Sequence, residues 1–252
     1  MRCCKFLAAL FLILLISSNG QAQKQFKTLL ITTTRGWHHE ALHTGVLAMQ
    51  QLGVKNNFDV VLLESNGGIT DQFMNQFAAV IFLHTTGDIL NANEQKVMER
   101  FIQSGKGFVG VHSASDTEYD WEWYTKLVGR MFKIHPAVQT AKMQLTDNKF
   151  PGLEGFANGR LWTDEWYDFG PEKTTGLQYI LGVDESSYNA KVQWGENKTE
   201  GMGKFHPVAW YHNFDGGRAF YTALGHVPAT FSDAAFQNHL LAGILWAATG
   251  KK

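Results

Sequence analysis

Four histidines sit beside glycine or at the expected ends of structural elements. They are His39 in Arg35-Gly36-Trp37-His38-His39-Glu40, His112 in Gly110-Val111-His112-Ser113-Ala114, His135 before Pro136, and His226 in Leu224-Gly225-His226-Val227-Pro228. An imidazole titrates near neutral pH, so it can move protons or ligate a metal. Glu165 lies in an aromatic–acidic string, Trp162-Thr163-Asp164-Glu165-Trp166-Tyr167. Imidazoles with a carboxylate are the ligand types of divalent-metal sites, commonly three protein ligands plus water. Lone histidines are also common as hydrogen-bonded structural residues, and that reading stands beside the chemical one.

Residues 115–124 hold four acids and four aromatics: Asp116, Glu118, Asp120, Glu122, Tyr119, Trp121, Trp123 and Tyr124. Aromatic faces stack on the apolar face of a sugar ring, and carboxylates accept its hydroxyl hydrogens. A capped helix start with inward-packing aromatics fits the same residues. Asp116 is the acid nearest His112 in sequence and is its natural partner. His84-Thr85-Thr86-Gly87-Asp88 reads as a turn before a helix.

Alternating strands and helices position these residues. Strands are expected at Phe26–Thr32, Phe58–Leu63, Ala78–Leu83 and Lys106–Val111. Helices are expected at Glu40–Leu52, with Gly53 as C-cap, and from an Asn91 cap through Gln103. This alternation predicts parallel strands joined by right-handed crossovers. Ligands then sit beyond the carboxyl ends of the strands, on the loops 33–40, 84–88 and 112–123. The second half predicts strands at Val138–Leu145 and Gln178–Val183. It also predicts a hairpin of Phe205–His212 with Gly217–Leu224 around Asp215-Gly216-Gly217, and a final helix capped by Ser232 or Asp233 and running to Thr249. A glycine-flanked strand running into a helix has the geometry of a nucleophile elbow, with His112 at the elbow; the G-x-S-x-G pattern is absent.

The chain has 252 residues, 44% hydrophobic and 18% charged, with a formal net charge of −1. That composition supports a buried core and excludes bulk disorder. Without a basic excess, nucleic acid is not an expected partner. Residues 1–22 read as a secretory signal peptide: Arg2 and Lys5, an apolar run from Phe6 to Ile16, then small residues ending at Ala22. An uncleaved anchor is the alternative. Removing this segment leaves 20 basic and 23 acidic residues, a charge of −3, and takes away both cysteines, Cys3 and Cys4. The expected product is exported, periplasmic or extracellular, thiol-free, and not held to a membrane.

Longer strings carry a family resemblance. Gly36-Trp37-His38-His39-Glu40 resembles the opening G-F-R-H motif of the ThuA-like, or trehalose-utilisation, family. Gly107-Phe108-Val109-Gly110-Val111-His112-Ser113-Ala114 resembles its G-G-G-F-V-G-I-H-S-A stretch. Trp123 through Phe132, His135-Pro136, Asp164 through Tyr167, Pro207 through Trp210, Gly217 through Tyr221, Gly225-His226 and Leu240 through Ala247 follow in family order. Trp37, His38 and Lys106 depart from the usual pattern.

The resemblance spans the chain after the signal segment and implies one domain over residues 24–250. Its implied fold is α/β, a flavodoxin-like, class I glutamine-amidotransferase-like three-layer sandwich with a mostly parallel sheet and a decorated C-terminal half. Such amidotransferases hold a cysteine at the elbow. His112 stands there in this chain, so glutamine hydrolysis through a thiolate is excluded.

The resemblance further implies use of trehalose-type disaccharides beside a sugar dehydrogenase, with 3-keto-glycosides as substrate and β-elimination, hydrolysis or isomerisation as reaction. The expected catalytic residues are His112, Asp116 and His39. The expected sugar contacts are Trp121, Trp166, Glu165 and Arg35. The expected ligands for a divalent metal are His112, His135, Glu165 and His226; no nucleotide cofactor is expected. A non-catalytic carbohydrate-binding protein of the same fold is the alternative, and a purely structural protein is a third reading.

Overall fold

The computed structural model describes residues 24–64, 67–146 and 149–252. The expected signal segment, 1–22, lies outside the described residues. The elements in chain order are β1 (Lys27–Ile31), α1 (Leu42–Lys55), β2 (Asp59–Leu63), α2 (Asp71–Met74), β3 (Ala79–Leu83), α3 (Ala92–Gln103), β4 (Gly107–Val111), α4 (Glu122–Val128), β5 (Phe132–Ile134), β6 (Gln139–Leu145), β7 (Leu161–Asp164), β8 (Asp168–Phe169), β9 (Gln178–Asp184), β10 (Val192–Trp194), β11 (Asn197–Thr199), β12 (His206–Phe214), β13 (Gly217–Thr222) and α5 (Ala234–Thr249).

Nine strands form one sheet in the order β2-β1-β3-β4-β13-β12-β9-β6-β7. The first five are mutually parallel, and the rest pair antiparallel. Only β12 and β6 run against the others, so seven strands point the same way. The fold is the expected α/β sandwich with a mostly parallel sheet. Because β13 and β7 share the direction of β1 and β4, the segments that follow all four leave the sheet on the same side.

β3 and β4 are buried along their whole length, as strands covered on both faces must be. Side chains alternate between those faces. Phe82 and Phe108 pack against Tyr124 of α4. Gly107 faces the other way, where a Cβ would come within 2.2 Å of the Ala247 carbonyl oxygen of α5. Glycine there lets helix and strand approach backbone to backbone. Leu83, on the same face as Gly107, lies against α1 at Gly45. Burying each large apolar side chain contributes roughly 1.5–3 kcal/mol.

Helix ends follow local chemistry. Asn91 accepts from the backbone N–H groups of Asn93 and Glu94, while the Glu94 carboxylate accepts from the Asn91 N–H. This is a reciprocal capping box. Asp233, not Ser232, caps α5 by accepting from Ala235 and Phe236. Gly53 does not end α1. The helix continues to Lys55, and Gly53 is the point where α1 crosses Phe58, with only 2.8 Å between a Cβ and the Phe58 carbonyl oxygen. The β12–β13 hairpin turns at Asp215 (φ 47°) and Gly216 (φ 88°), the paired left-handed conformation of a tight two-residue turn. β7 and the small β5–β8 and β10–β11 pairs fall in segments whose sequence gives no clear alternation.

Candidate active and metal site

Strand tips and the loops beyond them deliver the histidines. β4 ends at Val111, and His112 takes a left-handed backbone, φ 55°, before a 3-10 turn over 112–116. That sharp turn is the elbow geometry, and such a conformation in a bulky residue costs about 1–3 kcal/mol. His84, at the tip of β3, does the same with φ 53°. The rings of His39 and His84 sit 5.1 Å apart, and those of His84 and His112 5.3 Å apart.

The antiparallel half of the sheet curls round so that its last strand meets the loop after β13. The Asp164 carboxylate, at the end of β7, accepts from the backbone N–H of Gly225 and of His226, each at 2.9 Å. This clasp sets His226 beside Glu165. One nitrogen or oxygen from each of His39, His112, Glu165 and His226 lies within 4.8 Å of every other. Glu165 Oε2 is 3.1 Å from His226 Nδ1 and 3.4 Å from His112 Nε2. His135 Nδ1 is 3.2 Å from the other oxygen, Oε1.

Hydrogen bonds assign the tautomers. The Ala223 carbonyl can only accept, so His112 Nδ1 carries the proton in their 2.7 Å contact. Its Nε2 then faces the Tyr167 hydroxyl at 2.9 Å and His226 Nδ1 at 3.3 Å. In the same way His135 Nδ1–H donates to the Pro136 carbonyl at 2.8 Å, leaving Nε2 as the basic nitrogen. A histidine that donates one N–H to a backbone carbonyl and presents the other nitrogen inward is the usual supported metal ligand.

Electrostatics separate the group. Burial pushes the Glu165 carboxyl up, but its contacts with His112 and His226 outweigh burial and hold it below the usual carboxylate range. Burial, reinforced by His112, lowers His39 to about 2. Burial likewise depresses His84 and His135. Burial also opposes charge on His226, yet its contact with Glu165 raises it. A carboxylate among imidazoles is a donor set that fits a divalent cation of the zinc type.

Of the cluster, His39, Glu165 and His226 line the floor of a cleft of about 440 Å³, with Trp37, Asp116, Phe132, His135, Tyr167 and Trp194 around them, while His112 is fully buried. The walls are aromatic: the Phe132 and Tyr167 ring centroids are 4.4 Å apart, and Trp194 stands edge-on to His135 at 4.7 Å.

Several expected residues lie elsewhere. Trp121 stacks on Trp123 and Tyr124, and its indole N–H donates to Glu99. Trp166 is fully buried and donates to the Gln139 carbonyl. Successive residues in an extended segment face opposite ways, so Tyr167 enters the cleft where Trp166 cannot. Arg35 is exposed in a neighbouring depression with His38, His43 and Glu64. Asp116 lines the cleft but accepts from the Tyr119 hydroxyl at 2.9 Å; the Ala223 carbonyl, not Asp116, holds His112. His39 takes the place expected of His135 in the convergent ligand set, while His135 stays bonded to Glu165. Trp37, Trp194, Phe132, Tyr167 and His84 were not expected in or beneath the cleft.

His39-Glu40-Ala41-Leu42-His43 has the H-E-x-x-H spacing, which on a helix would set both histidines on one face. Here α1 begins only at Leu42. His39 is buried in the cleft floor, while His43 is exposed near His38. The spacing therefore does not form the helical metal pair.

Known proteins place the chain. Solved structures with the same fold include a ThuA-like protein from Bacteroides uniformis, 17% identical, with a TM-score of 0.75 over 94% of this chain and 96% of that one. A ThuA-like protein from Parabacteroides merdae is 21% identical, with a TM-score of 0.69 over 90% and 91%. A cytoplasmic protein from Salmonella typhimurium is 9% identical, with a TM-score of 0.61 over 89% and 100%. No curated protein matches. Residues 27–247 match the profile of the ThuA family, described as trehalose utilisation, and the chain belongs to that family.

Proposed function

We propose that the protein is an exported carbohydrate-processing enzyme that acts on 3-keto-glycosides of the trehalose type by β-elimination or hydrolysis, with a divalent metal held by His39, His112, Glu165 and His226. The observation that carries this reading is the convergence of those four side chains at an aromatic cleft, whose floor His39, Glu165 and His226 line.

A ketone at C3 of a sugar acidifies the proton on C2. A base removes that proton, the C2–C3 enolate forms, and its electrons expel the C1 glycosidic oxygen, which leaves with a proton. Water added across the resulting double bond completes a hydrolysis. When bound, the metal supplies positive charge for the developing enolate oxygen.

The chain's own groups supply the rest. His135 lines the cleft with Nε2 unprotonated, and burial keeps it neutral, so it suits the base role. Asp116 faces the same cleft and can accept a sugar hydroxyl. Tyr167 lines the cleft, and its hydroxyl packs against the fully buried His112, 2.9 Å from Nε2. Trp194 and Trp37, 45% and 71% exposed, offer the faces on which a pyranose stacks. Ordinary glycosidases need two carboxylates across the scissile bond; this cleft pairs carboxylates with imidazoles instead. A sugar dehydrogenase would supply the ketone. Export rests on the charged, apolar and small-residue order of residues 1–22.

The test is incubation of the purified protein with a 3-keto-disaccharide, before and after chelation. Release of the aglycone sugar that stops on chelation and returns with Zn²⁺ or Mn²⁺ supports the reading. Sugar binding without turnover under any metal would make the protein a carbohydrate binder.

A further inference from the structure

A second cluster lies behind Tyr167. The Tyr167 hydroxyl meets His112, whereas its backbone carbonyl accepts from His206 Nε2–H at 2.9 Å. His206 opens β12, Asp168 opens β8, and Glu185 follows β9. One donor atom from each of the three lies within 4.8 Å of the others.

Asp168 is 3% exposed, and its Oδ1 has no hydrogen-bond partner among the described residues. Its other oxygen accepts from the Thr199 hydroxyl. Burial raises the Asp168 carboxyl, with Thr199 and His206 opposing the rise. A buried carboxylate oxygen without a partner is costly unless a cation sits against it. Glu185 accepts from the Met202 N–H through Oε1, and from the Gly203 N–H at 2.8 Å through Oε2. Its Oε1 also lies 2.8 Å from His206 Nδ1, which the Tyr188 hydroxyl approaches at 2.9 Å.

The tautomer argument applies here as well. His206 Nε2 carries a proton because it faces a carbonyl. Its Nδ1 then confronts a carboxylate oxygen, so a proton or a metal cation must lie between them. The arrangement has the supported-histidine pattern, one N–H on a backbone carbonyl and the other nitrogen turned to a carboxylate-lined space. A divalent cation would balance the two carboxylates, which a single proton on His206 does not.

We propose that Asp168, Glu185 and His206 form a second divalent-cation site, separate from the cleft cluster, that fastens the 191–203 segment to the sheet. Two carboxylates, an imidazole and the Thr199 hydroxyl favour Zn²⁺ or Mn²⁺ over the oxygen-only preference of Ca²⁺ and Mg²⁺. The fastening is direct. Thr199 of β11 is tied to Asp168, and Met202 and Gly203 are tied to Glu185. Between them and β9, the β10–β11 hairpin carries Trp194 to the cleft wall. The site thus sets how firmly that wall stands.

The test uses Glu165→Gln as background, which weakens the cleft cluster, and reads the equivalent that changes at Asp168 or Glu185 remove, so the outcome is independent of the catalytic reading. Chelator-treated protein is titrated with ZnCl₂, and separately with MnCl₂, with bound metal counted by mass spectrometry. The proposal expects one equivalent bound, a raised Tm, and slower tryptic cleavage at Lys191 and Lys198. Adding Asp168→Asn, or independently Glu185→Gln, should remove the bound equivalent and the protection; circular dichroism checks that each variant is folded. Absence of binding in the Glu165→Gln protein, or an undiminished equivalent in a folded Asp168→Asn or Glu185→Gln variant, overturns the proposal.

Discussion

His226 Nδ1 stands 3.1 Å from Glu165 Oε2, although the two are 61 positions apart in the chain. The contact exists because β7 and β13 point the same way and because Asp164 clasps the backbone of Gly225 and His226. Glu165 is thereby the acidic centre of the cluster, touched by His112, His226 and His135.

Replacing that centre should be severe. Glu165→Gln keeps the shape but removes the charge that holds the imidazoles together. We expect metal affinity of the cleft to fall about 100-fold or more, and 3-keto-glycoside turnover to fall with it. Calorimetric titration with Zn²⁺ and an initial-rate assay measure the two effects; unchanged affinity would remove Glu165 from the ligand set.

The clasp can be loosened separately. Asp164→Asn puts an NH₂ group where one of two carboxylate oxygens accepts backbone hydrogens. The expected loss of stability is about 1–3 kcal/mol, read from the urea midpoint at unchanged slope. Zn²⁺ affinity should weaken in the same variant, since His226 loses its anchor.

The aromatic walls distinguish cleft residues from core residues. Trp194→Ala should raise KM about fivefold with little change in kcat, corresponding to about 1 kcal/mol of stacking. Trp121→Ala should leave KM unchanged and lower stability, because Trp121 packs on Trp123 and Tyr124 away from the cleft. Steady-state kinetics and thermal melts of the two variants check the contrast.

The contrast also shows what a sequence can carry. The strand–helix alternation, the strand tip at His112 and the helix start beside His39 follow from short-range patterns: buried runs such as 78–83, the Asn91 cap, and glycines where strand and helix touch. The residues of the cluster were legible too, as histidines and an acid at element ends. What was not legible is which way neighbouring side chains face in an irregular segment. Trp166 and Tyr167 are adjacent and both aromatic, and only the register of the 164–169 stretch sends one to the core and the other to His112. Trp194 reaches the cleft through a hairpin with no apolar alternation to announce it. The inward curl that joins β7 to the loop after β13 is a long-range property of the whole sheet.

Acid should destabilise the protein through histidines buried away from the cleft. His239 of α5 is fully buried against Phe156, Phe220 and Phe236, and burial lowers it to about 3. Below the unfolded-state value near 6.5, the unfolded chain binds a proton that the folded chain refuses. Stability contributed by this group is therefore full above about pH 6.5 and is lost as pH falls towards 3. His239→Phe should flatten the fall in urea-derived stability across that window; an unchanged slope would assign the acid sensitivity to other groups.

Anomalous diffraction from a crystal soaked in Zn²⁺ or Mn²⁺ bears most directly on the gathering of the four ligands. The account predicts a peak bounded by His39, His112, Glu165 and His226 on the floor of the aromatic cleft. A soaked crystal with no peak among those four side chains would contradict it.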